Sequence, residues 1–217
     1  MKYILKRIKL IHKSYLFFLK LKNIIYTYIT IPSYESKRSI ILKLALKYRC
    51  SAYFIETGTY MGDTLEVLKS NFDKLISIEL SSDLASRASK RFFNEPHISI
   101  IHGDSSSQLS EIISSIDKGI LFWLDGHYSS EFWVNDEYII TAKGEKHTPI
   151  LEELRQIAGH LHINKHVILV DDARLFNGKD DYPDLSFLKT FVKVNFPAHL
   201  FSVKNDMIRI LPTYKLQ

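Results

Sequence analysis

Six carboxylates in this sequence stand where short apolar runs end. Glu56 closes Tyr53-Phe54-Ile55, and Glu79 closes Lys74-Leu75-Ile76-Ser77-Ile78. Asp104 lies just past the run from His97 to His102. Asp125 closes Gly119 to Leu124, and the pair Asp171-Asp172 closes His166 to Val170. A single acid after a strand is ordinarily a turn or a helix cap. Acids at one end of five successive strands are better explained by one shared site, because open parallel sheets bind ligands beyond the carboxyl ends of their strands. Such a set can accept hydrogen bonds from hydroxyls, offset the charge of a cationic ligand and hold a metal ion.

The stretch from Tyr53 to Thr64 sets the geometry of that site. A β-branched and aromatic run stops at Glu56 and turns through Gly58 and Gly62, and a helix follows from Asp63. Glycines let the backbone approach a ligand, and a helix N-terminus offers free N–H groups. The pattern is Glu56-x-Gly58-x-Tyr60-x-Gly62, not the G-x-G-x-x-G of dinucleotide sites. A carboxylate beside the turn disfavours a pyrophosphate and favours a cation such as a sulfonium or an amino group. Glu79, 23 residues further on, is placed to accept two hydrogen bonds from ribose hydroxyls, and Asp104 to meet an adenine edge.

The elements that must position these residues alternate. Beyond Pro32, with Ser33 or Ser36 as cap, a helix is expected over roughly 34–49, its apolar face supplied by Ile40, Ile41, Leu44 and Leu46-Lys47-Tyr48. Strands are expected at Tyr53 to Glu56, 74–79, 97–102, 119–125 and 166–170. Helices are expected from Asp63 to about Asn71, over 82–93 and 105–115, and from Pro149 to about His160. Such alternation means an α/β fold with a parallel sheet and helices on both faces. The end differs: Leu200 to Val203 and Met207 to Ile210 flank Lys204-Asn205-Asp206, a β-hairpin that puts an antiparallel strand into the sheet.

The chain has 217 residues, enough for one domain with an appendage, and 46% of them are hydrophobic. The single cysteine, Cys50, excludes an intramolecular disulfide and a cysteine-based zinc site, and a reducing, cytoplasmic setting fits it. The net charge of +5 is unevenly placed. Residues 1–34 carry seven basic side chains and no acid, which leaves 22 basic against 24 acidic residues in the remainder. The body is therefore near neutral, which argues against nucleic acid as a partner.

Residues 1–49 thus read as a basic, amphipathic helical extension, and residues 50–217 as the main domain. Ile4, Leu5, Ile8, Ile11, Tyr15, Leu16, Phe18 and Leu19 recur at helical spacing, broken by lysines. Their apolar runs are far shorter than the roughly 20 residues a membrane span needs. No small-residue cleavage site follows, so a cleaved signal is not expected. Two readings stay open for residues 1–31: packing on the domain or on a second copy in a homodimer, or lying on the inner face of an anionic membrane.

On the acceptor side, three carboxylates at two neighbouring strand ends repel one another unless neutralised. A hard divalent cation held by Asp125, Asp171 and Asp172 would do so, and would lower the pKa of a hydroxyl. Alternatively, one of the pair caps a helix and Arg174 neutralises the other. His127, two residues after Asp125, is a candidate general base, with Asp125 as its catalytic partner; His147 and His160 are less well placed. The loop from Tyr128 to His147 carries Trp133, Tyr138, Lys143, Gly144 and Lys146. It reads either as a lid over an acceptor or as a surface insertion for dimer contacts. Arg174 and Lys179 either meet an acidic acceptor or are solvated.

The order Glu56, Glu79, Asp104, Asp125 with a terminal hairpin resembles the class I S-adenosylmethionine-dependent methyltransferases. The E-x-G-x-(aromatic)-x-G turn, the string Leu124 to Ser129 and the string Ile168 to Arg174 are similar to macrocin-type sugar O-methyltransferases. The resemblance spans about residues 50–211. It implies a Rossmann-like, seven-stranded, mostly parallel sheet. It implies a donor site in which Glu56, Thr57, Gly58 and Thr59 meet the methionine part, with Tyr60, Gly62, Leu80 and Asp125 in the same set. Glu79 would hold the ribose, and Asp104 with Ser105 the adenine. Asp125, Asp171 and Asp172 match the positions where relatives hold Mg²⁺. The acceptor would be a small molecule or glycan with a sugar or other hydroxyl. The rivals are a nicotinamide-dependent oxidoreductase and a non-catalytic module attached to a membrane or dimerising through residues 1–49.

Overall fold

The computed structural model describes residues 32–134 and 136–213. The amphipathic segment 1–31, with both readings attached to it, lies outside the described residues. Helix α1 (Tyr34–Tyr48) is capped by Ser33, whose Oγ accepts from Ser36 N at 3.3 Å, and it ends at Arg49 in the left-handed region. Strand β1 (Tyr53–Thr57), helix α2 (Asp63–Leu68), strand β2 (Lys74–Glu79), helix α3 (Ser82–Arg91) and strand β3 (Ile98–His102) follow. Then come helix α4 (Ser105–Ile113), strand β4 (Ile120–Leu124), a small hairpin of β5 (Glu131–Val134) and β6 (Glu137–Ile140), and helix α5 (Ile150–Ala158). Strand β7 (Val167–Val170), helix α6 (Leu185–Asn195) and strands β8 (His199–Lys204) and β9 (Met207–Pro212) complete the chain.

Seven strands form the main sheet in the order β3-β2-β1-β4-β7-β9-β8. The first five are parallel, and β9 pairs antiparallel with both β7 and β8. The expected sheet and its terminal hairpin are therefore present. β4 (ILFWL) is buried throughout, as a central parallel strand covered on both faces must be. The alternation of side chains splits it: Ile120, Phe122 and Leu124 enter the cluster that packs Leu154 and Ile157 of α5 and Leu188 and Val192 of α6. Leu121 and Trp123 enter the opposite cluster, which packs Leu65 and Leu68 of α2 and Ile41, Leu44 and Ala45 of α1. Helix α1 is thus part of the second core layer.

Two elements have no counterpart in the sequence expectations. Helix α6 is capped by Asp184, whose Oδ1 accepts from Ser186 N and Phe187 N, both at 2.9 Å. The β5–β6 hairpin, with Trp133 opposite Tyr138, interrupts what reads as a loop. The helix after β1 is shorter than its apolar pattern suggests and ends at Leu68.

Chain order places the switch point between β1 and β4. The chain leaves β1 outward to β2 and β3, then returns to β4 on the other side. Ligand crevices of open parallel sheets lie at such a point, beyond the carboxyl ends of the strands. At the opposite end of the strands lies a chain of histidines. His160 Nδ1 and His166 Nε2 are 2.7 Å apart, His166 Nδ1 accepts from Ile120 N at 3.2 Å, and His199 Nε2 contacts His166 O at 3.0 Å.

Burial pushes His166 down to about 3 and holds His160 and His199 below the usual imidazole value. Unfolded histidines titrate near pH 6.5, so from about pH 6.5 down to about pH 3 the unfolded chain binds more protons. Stability contributed by these rings is intact above pH 7 and falls as pH drops through that window. Urea unfolding of wild type and His166→Gln at pH 7 and pH 5 checks this: the wild type loses the more stability, and equal losses exclude the effect.

Candidate functional site

Glu56, at the end of β1, is 2% exposed and sits beneath the glycine turn. Ser77 Oγ donates to its Oε2 at 2.7 Å, and Thr59 Oγ1 lies 2.7 Å from the same hydroxyl. Burial pushes the Glu56 carboxyl up to about 8, with the Asp125 and Glu79 charges adding to the rise and Ser77 opposing it. Glu56, Thr57, Thr59 and Gly62 hold the turn from below and do not line the cavity, whereas Gly58 and Tyr60 do.

The turn needs its glycines. Gly58 has φ +82°, and a Cβ there would come within 2.7 Å of Asp125 O, because the loops after β1 and β4 touch at this point. Gly62 has φ +78°, and its Cβ would meet the Phe92 ring at 2.7 Å. Tyr60 takes φ 49° without being glycine, a conformation that costs a bulky residue about 1 kcal/mol. Tyr60 lines the cavity.

Glu79, at the end of β2, has both oxygens engaged: Oε2 accepts from Tyr60 N and Oε1 from Ser81 N, each at 2.9 Å. The second strand's acid thereby fixes the backbone of the first strand's turn. Each carboxylate oxygen has a second lone pair for a ligand hydroxyl. Asp104 caps α4, with Oδ1 accepting from Ser106 N at 2.8 Å. Ser105 beside it donates to Glu153 Oε1 at 2.6 Å, and burial pushes Glu153 up to about 7. Gly144 lies over Leu80 and Asp104; a Cβ there would be 3.6 Å from Leu80 and 3.8 Å from the Asp104 carboxylate.

The other half of the site lies across the crevice. His127 Nδ1 is 3.5 Å from Asp125 Oδ1, and its Nε2 is 3.9 Å from Asp172 Oδ2. Burial alone would lower the His127 pKa, but the two carboxylates overcome it and hold the imidazole above its usual value. Asp171 is 5% exposed; burial and the Asp125 and Asp172 charges raise its pKa, and Lys37 opposes the rise. The Nζ of Lys37, from α1, binds Asp171 Oδ1 and lies 3.5 Å from Asp172 Oδ1. Arg174 Nη1 donates to Asp172 Oδ1 at 2.7 Å and also binds Asp206.

Asp125, His127 and Asp172 present donor atoms within 4.8 Å of one another, a set of two carboxylates and one imidazole that fits a divalent ion such as Mg²⁺ or Mn²⁺. This set differs from the expected one. His127 stands in it, and Asp171 is turned to Lys37.

These residues surround a cavity of about 500 Å³, lined also by Tyr34 of α1, Leu80, Tyr128, Thr141 and His147. Of the described lining residues, seven are Asp or Glu and one, Lys146, is a lysine, so the cavity favours a cationic ligand over an anionic one. The expected lid segment contributes the flanks of the β5–β6 hairpin, and Arg87 of α3 pairs with Glu137 of the hairpin. His147 binds Asp181 through its backbone N at 2.9 Å and Nδ1 at 3.1 Å, which ties the hairpin's far flank to the segment before α6. Lys37 and Tyr34 are absent from the expected site. A lysine in register with Ile41, Leu44 and Ala45 on the apolar stripe of α1 is the signal that could have found the first.

No model of a known protein family matches the sequence, and no curated protein matches it. Solved structures do. The N-methyltransferase NodS of Bradyrhizobium japonicum is 15% identical, covers 82% of this chain and 95% of its own, and superposes with a TM-score of 0.53. A Staphylococcus aureus protein assigned as a caffeoyl-CoA O-methyltransferase is 14% identical over 93% of this chain and 99% of its own, at 0.50. An rRNA methylase of Streptococcus thermophilus is 11% identical over 84% and 95%, also at 0.50. The chain has a methyltransferase fold. At these identities the likeness establishes architecture, and the acceptors named for these proteins differ among themselves.

The buried Glu56 gives a direct check on the site's electrostatics. Its folded value of about 8 exceeds the ordinary 4.5, so the folded state holds a proton that the unfolded chain releases. Stability from this group therefore falls as pH rises from about 5 to 8, by about 1.4 kcal/mol per pH unit at most. Glu56→Gln removes that slope. Urea midpoints at pH 5, 6.5 and 8 should show the variant gaining on the wild type with each step; parallel profiles would contradict the assignment.

Proposed function

We propose that this protein is an S-adenosylmethionine-dependent methyltransferase acting on a hydroxyl of a small molecule, with a sugar hydroxyl the acceptor that the macrocin-type resemblance supports. The observation that carries the reading is the carboxylate-lined cavity at the switch point, on a methyltransferase fold. A sulfonium donor is cationic at its reacting atom, and an acidic cavity attracts it. Glu79 at the ribose position and Asp104 at the adenine position supply the acceptors that the nucleoside part requires. Tyr60, Leu80 and Gly58 supply the surface against which it packs.

In the transfer the S–CH₃ bond breaks as the O–CH₃ bond forms, which leaves a neutral thioether. The acceptor's hydroxyl proton goes to His127, held between Asp125 and Asp172 and made more basic by both. The enzyme's main contribution is alignment of the two reactants and exclusion of water. A divalent cation held by Asp125, His127 and Asp172 would instead polarise the acceptor oxygen and lower its pKa; His127 would then be a neutral ligand and the hydroxyl proton would pass to water.

The oxidoreductase rival is disfavoured by the same acids, which oppose a pyrophosphate. They also oppose a polyphosphate backbone, which supports a small acceptor over nucleic acid even though rRNA methylases share the fold. No helix among the described residues is long and apolar enough to cross a membrane. The peripheral, inner-face reading of residues 1–31 and the homodimer rest on sequence alone.

Thermal shift with S-adenosylhomocysteine against NAD⁺ tests the donor: stabilisation by the first and none by the second is expected, and the reverse overturns the reading. In a screen of sugars and phenols with labelled donor, His127→Ala should lower turnover about 100-fold. Wild-type turnover in that variant removes His127 from the chemistry, and activity that survives EDTA removes the cation.

A further inference from the structure

Lys37 is 4% exposed and occupies the apolar stripe of α1 one turn before Ile41. A buried ammonium is costly, and a methionine or leucine would fill the same stripe without that desolvation. What the ammonium does is specific. It binds Asp171, which also accepts from Asp172 N at 2.7 Å, and it lies 3.5 Å from Asp172 Oδ1. Asp171 is adjacent in sequence to a member of the Asp125–His127–Asp172 group yet stands outside it. Three carboxylates (Asp171, Asp172, Asp206) pair with two fixed cations, Lys37 and Arg174, so Lys37 supplies half of that fixed positive charge.

We propose that Lys37 is a positioning residue of the site: its ammonium holds Asp171 out of the donor set, so that a divalent cation meets three protein ligands and keeps positions for acceptor oxygens. Ions of this class take roughly six ligands, so a fourth protein donor would fill a position that a substrate needs. The inference rests on the cation reading above and extends it to α1, a helix outside the sheet edge that supplies Asp125, His127, Asp171 and Asp172.

The test is Mn²⁺ binding to the full chain, read by the loss of the free-ion electron paramagnetic resonance signal, with folding checked by thermal melting. Lys37→Met removes one charge and frees Asp171, so it should bind Mn²⁺ about tenfold more tightly than the wild type, and Lys37→Arg within threefold of it. A gain of less than threefold in Lys37→Met, or weaker binding, overturns the proposal while wild-type binding leaves the cation reading standing. Should Lys37→Met fail to fold, the charge-balanced double variant Lys37→Met/Asp171→Asn decides. Binding within threefold of wild type supports the proposal, because neither residue is a ligand, and a larger loss overturns it. If neither wild type nor Lys37→Met binds Mn²⁺, both the inference and the cation reading fall, and binding of S-adenosylhomocysteine reports separately on the donor site.

Discussion

Like charges gathered at one sheet edge stay together only through what opposes them, and most of this site's construction answers that constraint. Two different answers are used. At β1, burial is allowed to win: Glu56 sits under the turn, hydrogen-bonded to Ser77, and its carboxyl is held protonated well above the usual range. At β4 and β7, charge is met by charge, through Lys37 and Arg174, with His127 between the carboxylates. The first arrangement makes a rigid floor, and the second makes a polar wall that retains reactivity. On the proposed reading, the first would underlie the nucleoside and the second would handle the proton.

The turn over Glu56 shows how closely the halves are joined. Gly58 lets the loop after β1 touch the loop after β4, so the two sides of the cavity share a backbone contact. Glu79 clamps the same turn from β2 through Tyr60 N. The strained Tyr60 backbone is thereby held in place by a neighbouring strand's side chain.

Much of the fold was legible because parallel strands covered on both faces read as apolar runs, and their ends are marked by acids. The terminal hairpin was legible from its turn residues. Helix α6 carries a strong cap in Asp184 and has Leu188 and Val192 four apart, but it follows a strand–helix alternation that is already complete at β7. The strands of the β5–β6 hairpin are short and sit in a segment that otherwise reads as loop. Within the site, the acids could be listed from sequence, but their division of labour could not. Whether a carboxylate faces the cavity, a serine or a lysine depends on contacts such as Lys37 to Asp171, which span 134 positions.

That separation has a consequence for how the site comes into being. The end of the site that holds Glu56, Glu79 and Asp104 is built from residues 56–105, a contiguous piece whose strands β1, β2 and β3 are adjacent in the sheet. The end that holds Asp171 and Asp172 requires α1 to meet the end of β7, which closes a far longer loop and carries the larger entropic cost. As the chain leaves the ribosome, Lys37 is made early and its partner late. The contacts within residues 56–105 are therefore the more local ones, and the Lys37–Asp171 contact waits for β7.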